Sequence, residues 1–300
     1  MSAKIGSTNI GAVNVGSKSI ATVKKGLTTV FQKPTGGGGT SGWDLSTASF
    51  DNVDFIVSGQ ESGGQGLHFK PDGTKMYVVG ANSDSVHQYT LNTSWDLSTA
   101  SFDNASFNVS GQEGNPRDIH FKPDGVEMYM VGSDSDSVHK YILSTPWDLS
   151  TASFDNVSFS ISGQDGFAFG LHFKPDGTKM YMLGLISDSV YQYTLSTPWN
   201  LSSASFDNVS FNVSGQDGTP FGIHIKPDGT KMYMVGNGSD SVHQYTLSTP
   251  WDLSTVSYDN VSFDVSGQDG SPFSIPFKPD GTKMYLLGSS TDSVFQYTLS

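Results

Sequence analysis

The sequence contains no cysteine, so disulfides, thiol nucleophiles and cysteine-ligated zinc or iron–sulfur centres are excluded. No apolar run approaches the roughly 18 residues of a membrane span, and the first residues lack the apolar core of a secretory signal peptide. A chain made in the cytoplasm, soluble and without membrane insertion, is therefore expected. Positive charge is scarce, because 16 Lys and Arg face 29 Asp and Glu for a formal net charge of −13. Nucleic-acid affinity rests on clustered cations, so no nucleic-acid partner is expected. Charged residues make up only 15% of the chain, whereas 34 glycines and 12% aromatics give the composition of turn-rich β structure.

What the sequence does have is a repeat. Trp43, Trp95, Trp147, Trp199 and Trp251 stand 52 residues apart without an insertion, as do Asp72, Asp124, Asp176, Asp228 and Asp280 of the Lys-Pro-Asp-Gly runs. A fixed period of this size marks a solenoid, a propeller or an array. Within a unit the apolar residues alternate, as at Val53, Phe55 and Val57, which is strand periodicity. In the first unit strands are predicted over residues 67–70, 75–79 and 86–91, with a fourth inside 101–109. Pro-Asp-Gly supplies the tight turn between the first two. One such antiparallel meander cannot bury both its faces, and twisted sheets of this kind close radially by packing face to face. The prediction is an all-β protein whose residues 43–300 form a five-bladed β-propeller. The phase of the repeat adds a constraint. The last unit ends at Ser300 after three strands, while residues 43–58 form a strand with no blade of their own. This strand should pair beside residues 294–299, completing the last blade and removing two sheet edges.

The Phe-Lys-Pro-Asp-Gly-Thr-Lys-Met-Tyr and Ser-Asp-Ser-Val-His-Gln-Tyr-Thr-Leu stretches resemble the blade repeats of the YVTN and NHL-like propellers, over residues 43–300. That resemblance implies a fold and not an activity, since propellers host enzymes, lectins and scaffolds alike.

Residues 1–42 differ in kind. They hold five lysines and no acid, a charge of +5 that leaves −18 for the repeats. β-Prone runs at residues 9–15, 20–24 and 27–31 alternate with glycine-containing turns. Residues 1–33 are read as a small β docking module, too short to build a core of its own easily, and 34–42 as a Gly-rich linker. Short Val-Gly-Ser and Lys-Gly turns followed by a glycine linker resemble the N-terminal modules of tailed-bacteriophage virion structural proteins. The resemblance implies that residues 1–33 attach to other virion proteins in many copies, with Lys4, Val15, Lys24, Lys25 and Phe31 as docking candidates. The propeller would then be displayed for adhesion to a host-surface glycan or for decoration. A sugar- or lactone-active propeller enzyme and a purely cementing capsid or tail component are the alternatives.

Catalysis needs residues that break the fivefold symmetry, and the repeated acids do not. Asp51, Asp72 and Asp84 recur in every unit, and Glu61 and Glu113 become Asp165, Asp217 and Asp269. No unique carboxylate pair of the kind glycosidases require stands out. No nucleophile elbow or phosphate loop is present either. A non-enzymatic protein is expected, with no cofactor and no assigned metal. His68, His120, His172 and His224 share one place on the innermost strand, with Pro276 in the fifth unit. They form either an axial ring able to hold a metal or an anion, or packing between blades. The related His87, His139 and His243 give way to Tyr191 and Phe295, which suits packing.

Differences among units cluster in two loops. The loop entering the innermost strand and the loop between the second and third strands emerge on one side of a meander, opposite the uniform Pro-Asp-Gly and Trp-Asp-Leu-Ser turns. Variable loops on a rigid scaffold are where binding usually resides. Arg117, Phe167, Phe169, Leu185, Ile186, Phe221 and Phe273 are the candidate ligand-binding residues, either as a contact patch or as a plug of the channel mouth.

Overall fold

The structure is a computed structural model that describes residues 42–300 and, before them, the backbone of six short strands between Ala3 and Phe31. The chain divides into two compact units, Met1–Thr40 and Ser41–Ser300. In the first, Ala3–Ile5 pairs with Thr8–Ile10, Val13–Val15 with Lys18–Ile20, and Thr22–Lys25 with Thr28–Phe31, all antiparallel. The expected runs at 9–15 and 20–24 are thus each divided between two strands. Glycine recurs often enough that each hairpin carries only three or four residues per arm.

The second unit is a five-bladed β-propeller of four-stranded antiparallel sheets. From the axis outward, the first blade runs Gly64–Phe69, Lys75–Gly80, Ser85–Leu91 and Ala100–Asn108. The innermost strands of the second to fifth blades are Pro116–Phe121, Ala168–Phe173, Pro220–Ile225 and Pro272–Ser274. Each neighbours the next around the axis, and the fifth meets the first. The outer strand of the fifth blade is Ser49–Ile56, which pairs with Ser293–Thr298 in the register Val294 to Phe55 and Gln296 to Val53. The ring closes as the repeat phase requires.

The first strand begins at Gly64 and not at residue 67, because pairing continues through a bulge in which Gly64 and Gly66 face Gly80 and Val79. In the fifth blade the inner strand is shortened to three residues and resumes only as a bridge from Phe277 to Met284. Pro276 lies in that gap, and it has no N–H to donate to a ladder.

The apolar core lies between blades. One cluster joins Tyr233, Val235 and Val242 of the fourth blade to Ile275, Phe277, Met284 and Leu286 of the fifth, with Trp43 and Leu45 among them. Each interface carries the same bolt: Tyr77 Oη donates to the Trp147 carbonyl at 2.7 Å, Tyr129 to Trp199 at 2.6 Å, Tyr181 to Trp251 at 2.6 Å, Tyr285 to Trp95 at 2.7 Å, and Tyr233 to Trp43. A buried bond of this type contributes about 1 kcal/mol net. Since Trp43 plays the part of the other four tryptophans, the closing strand is welded in as a full member of the ring. The tryptophans also explain the Pro-Asp-Gly turns. A Cβ on Gly177, whose φ is +73°, would lie 2.3 Å from the Trp199 ring, so only glycine fits beneath the indole.

Candidate functional site

Of the carboxylates that recur in every blade, the Asp72 and Asp103 sets are occupied with scaffolding, whereas Oδ1 of Asp84, Asp136, Asp240 and Asp292 is buried with no hydrogen-bond partner among the described residues. Asp103 accepts from Lys75 Nζ (3.0 Å), Gln88 Nε2 (2.7 Å) and Thr90 Oγ1 (2.9 Å) inside its blade. Burial raises its pKa, but those three donors outweigh burial and hold it below the ordinary carboxylate range. Asp72 bridges its turn to Lys70 at 2.8 Å and to Thr74. Burial pushes against ionisation there as well, and the Lys70 and Thr74 bonds bring the pKa down to about 2.

A further set of acids staples together the two loops that vary. Asp165 is 4% exposed and accepts from Phe167 N (2.8 Å) in one loop and from Ile186 N (3.4 Å), Ser187 N (2.9 Å) and Ser187 Oγ (2.7 Å) in the other. Glu61, Glu113, Asp217 and Asp269 do the same in their blades. The loops differ in sequence but are held by one device, and both lie at the same end of the ring. The Trp95 N–H, by contrast, bonds Gly73 O at 3.0 Å, which joins the uniform turns at the opposite end.

Ser83, His87 and Glu61 meet without forming a catalytic triad. Ser83 Oγ donates to Glu61 Oε2 and lies 2.9 Å from His87 Nε2, while His87 Nδ1 lies 2.8 Å from Ser106 Oγ. With its proton given to Glu61, the Ser83 oxygen accepts from Nε2–H, so the imidazole has no role as its base. The same Ser–His contact recurs at Ser135 with His139 and at Ser239 with His243. These histidines also pack on aromatics, as His87 does on Phe102.

The four inner histidines both pack between blades and line the axis. His68, His120, His172 and His224 stand edge to face with ring centroids 5.1, 5.2 and 5.1 Å apart. Each also rests on an aromatic of the next blade, as His68 does on Phe121 and Trp147. They border an axial cavity of about 80 Å³ shared with Asp118, Ser274 and Pro276. Burial brings the pKa of His68 and of His172 down to about 3, with repulsion from His68 adding to the effect at His172. Neutral imidazoles result. Among the described residues no three His, Asp or Glu side chains converge as metal ligands.

Asp118 breaks the symmetry. The other blades have Gly66, Gly170, Gly222 and Ser274 at its place. Asp118 is 7% exposed, and its two oxygens accept from Ile119 N at 2.8 Å and from Leu171 N of the next blade at 2.9 Å. Burial pushes its carboxyl up to about 8 despite these two donors. Ser274 Oγ accepts from Leu67 N in the same cross-blade fashion at 3.2 Å. Asp118 was legible as the one acid at a place where the other blades carry three glycines and a serine, although it has no carboxylate partner to draw attention to it.

One step towards the variable end stand Gln65, Arg117, Phe169, Phe221 and Phe273. Phe221 stacks on Phe273 with centroids 4.3 Å apart and planes 6° apart, and Phe169 meets Phe221 at 4.6 Å. Arg117 sits over Phe169 at 4.4 Å and Phe167 at 5.6 Å, and donates to Ser133 Oγ (3.1 Å) and Gln65 Oε1 (2.9 Å). The Leu185 N–H bonds the Phe167 carbonyl at 2.9 Å, and Ile186 beside it is 72% exposed. The seven predicted residues are therefore neighbours. Phe169 is buried as the floor of the group, whereas Phe167, Phe221 and Phe273 are half-buried. The side chains of the docking candidates Lys4, Val15, Lys24, Lys25 and Phe31 lie outside the described residues.

No family model matches the chain, and no curated protein matches it. Solved structures do. A putative 6-phosphogluconolactonase from Bacteroides uniformis is 14% identical with a TM-score of 0.47, over 74% of this chain and 63% of that one. A functionally unknown protein from Desulfotomaculum acetoxidans is 15% identical with a TM-score of 0.49, over 75% and 65%. A protein from Lactobacillus plantarum is 14% identical with a TM-score of 0.44, over 74% and 63%. The chain spans less than two thirds of the length of each. At these identities the likeness carries no activity across.

Proposed function

We propose that this protein is a non-enzymatic display module in which residues 1–33 attach to a bacteriophage virion and the propeller is presented for adhesion to a host-surface glycan or for decoration. The observation that carries the binding role is the carboxylate staple: five loop pairs of different sequence are held by one buried acid each, so the diversity is exposed on a frame that does not vary. Scaffolding also accounts for the Asp72, Asp103 and Asp165 sets of recurring acids that a hydrolase would otherwise recruit. The lysine-only, glycine-punctuated residues 1–33 support attachment to a particle. Many copies on one particle turn a weak single-site affinity into avidity.

A glycan array probed with the full chain, run beside a panel of lactone, ester and glycoside substrates, tests this. Capture of a glycan without turnover is the expected result. Turnover of any substrate by the purified chain would instead establish the propeller as an enzyme.

A further inference from the structure

We propose that Arg117 is the recognition residue for an isolated carboxylate on a sugar, an assignment that deepens the display reading and rests on it. Arg117 is the only arginine in the chain. Each of the ten lysines from Lys70 to Lys283 has a carboxylate oxygen within 3.2 Å, and among the described residues Arg117 alone of the cations forms no ion pair. In a region whose cations are otherwise consumed internally, this one is left over at the variable end.

Its geometry suits a ligand. Packing on Phe169 and the bonds to Ser133 and Gln65 fix the guanidinium plane before anything binds. Those two bonds use two of the five N–H donors of the fork. Nη2 has no partner among the described residues and is not fully buried, so solvent reaches it. The two hydrogens of Nη2 and the second hydrogen of Nη1 are the donors left over, and Nη1 and Nη2 side by side can meet the two oxygens of a carboxylate. The facing acids do not fill it. Glu113 is committed to the N–H groups of Asn115, Asp134 and Ser135, and Asp134 stands beside Gly114 without pairing with Arg117.

Two further features narrow the ligand. The half-buried ring of Phe167 adjoins the guanidinium, those of Phe221 and Phe273 adjoin Phe169 beneath it, and the group offers an apolar bed to the C–H face of a sugar ring. The surrounding −18 repels polyanions, which leaves a single negative group on an otherwise neutral body as the acceptable chemistry. A terminal sialic acid and a uronic acid both present it.

The test titrates the full chain, by saturation-transfer NMR and calorimetry, with N-acetylneuraminic acid, glucuronic acid, the methyl ester of each, and galactose 6-sulfate. At least one free acid should bind, and its ester and the sulfate should bind about tenfold more weakly or not at all. Which acid binds identifies the source. Arg117→Gln installs the residue that the first blade carries at this place, Gln65, so the melting temperature should hold while acid binding falls by about tenfold or more. Arg117→Lys, which keeps the charge but not the fork, should recover only part of the loss. Esters binding as well as acids, the sulfate binding better, or an unaltered Arg117→Gln would overturn the carboxylate assignment. If the array captures neutral glycans equally well with Arg117→Gln, the display reading survives and this inference fails. If no glycan is captured by either protein, both fail.

Discussion

The two ends of the propeller follow opposite rules. At one end five turns have nearly the same sequence and the same contacts: indole over glycine, tyrosine to tryptophan carbonyl, lysine to aspartate. At the other end the loops change from Ala81-Asn82 to Leu185-Ile186, while the acid beneath them stays. Side chains are fixed where they fill space between blades and vary where they meet solvent. The teaching is that diversity here is a property of position in the ring, since a single repeat carries both regimes within 52 residues.

Removing the strand on which both ends depend should have the largest effect. A chain lacking residues 1–58 loses Ser49–Ile56 and the Trp43 bolt, and should show no cooperative unfolding by calorimetry. A chain beginning at residue 42 should melt almost as the full one does. At the uniform end, Gly177→Ala forces a Cβ into the Trp199 ring at positive φ and should cost about 2–4 kcal/mol in urea unfolding. At the variable end, Asp165→Ala leaves the Phe167, Ile186 and Ser187 N–H groups without their acceptor. It should cost about 1–3 kcal/mol and speed amide exchange in those loops alone. Equal loosening of both ends would erase the contrast.

The axis between the ends should set the pH profile. His68 and His172 have folded pKa values of about 3 against an ordinary 6.5, so the unfolded chain binds more protons between those values. Their contribution is complete above pH 6.5 and is lost as pH falls towards 3. Asp118 has the opposite sign. Its folded value of about 8 lies above 3.8, so its contribution is complete below pH 3.8 and is lost as pH rises through 8. Urea midpoints should therefore fall on both sides of an intermediate optimum. His172→Leu should flatten the acid limb, and Asp118→Ser, which copies Ser274, the alkaline one.

Much of this was legible because a repeat supplies five readings of each position. The spacing of Trp43 to Trp251 and the strandless residues 43–58 were enough to place blade number and closure. Alternation could not say that the inner histidines face the axis and the next blade at once, because the innermost strand borders both. The staple was hidden too, since an acid in a Gly-Gln-Asp-Gly run looks like any turn aspartate until the second loop, some 20 residues on, folds beneath it. Arg117 and Asp118 were visible as departures from the consensus. Their neighbours, Leu171 in one case and Phe169 in the other, come from the adjacent blade and needed the ring to be closed.

The smallest expected effect is the most diagnostic of the contrast. Ile186→Ser exchanges a side chain that is 72% exposed for one that other blades carry in this loop, and leaves the Ile186 backbone bond to Asp165 in place. Stability should change by no more than about 0.5 kcal/mol, as for surface positions without a structural task. A larger loss would mean that Ile186 packs into its blade, and the loop would then belong with the uniform end. If stability holds while glycan capture weakens, the position is free of the fold and engaged by the ligand, which is the combination that separates a recognition loop from a merely variable one.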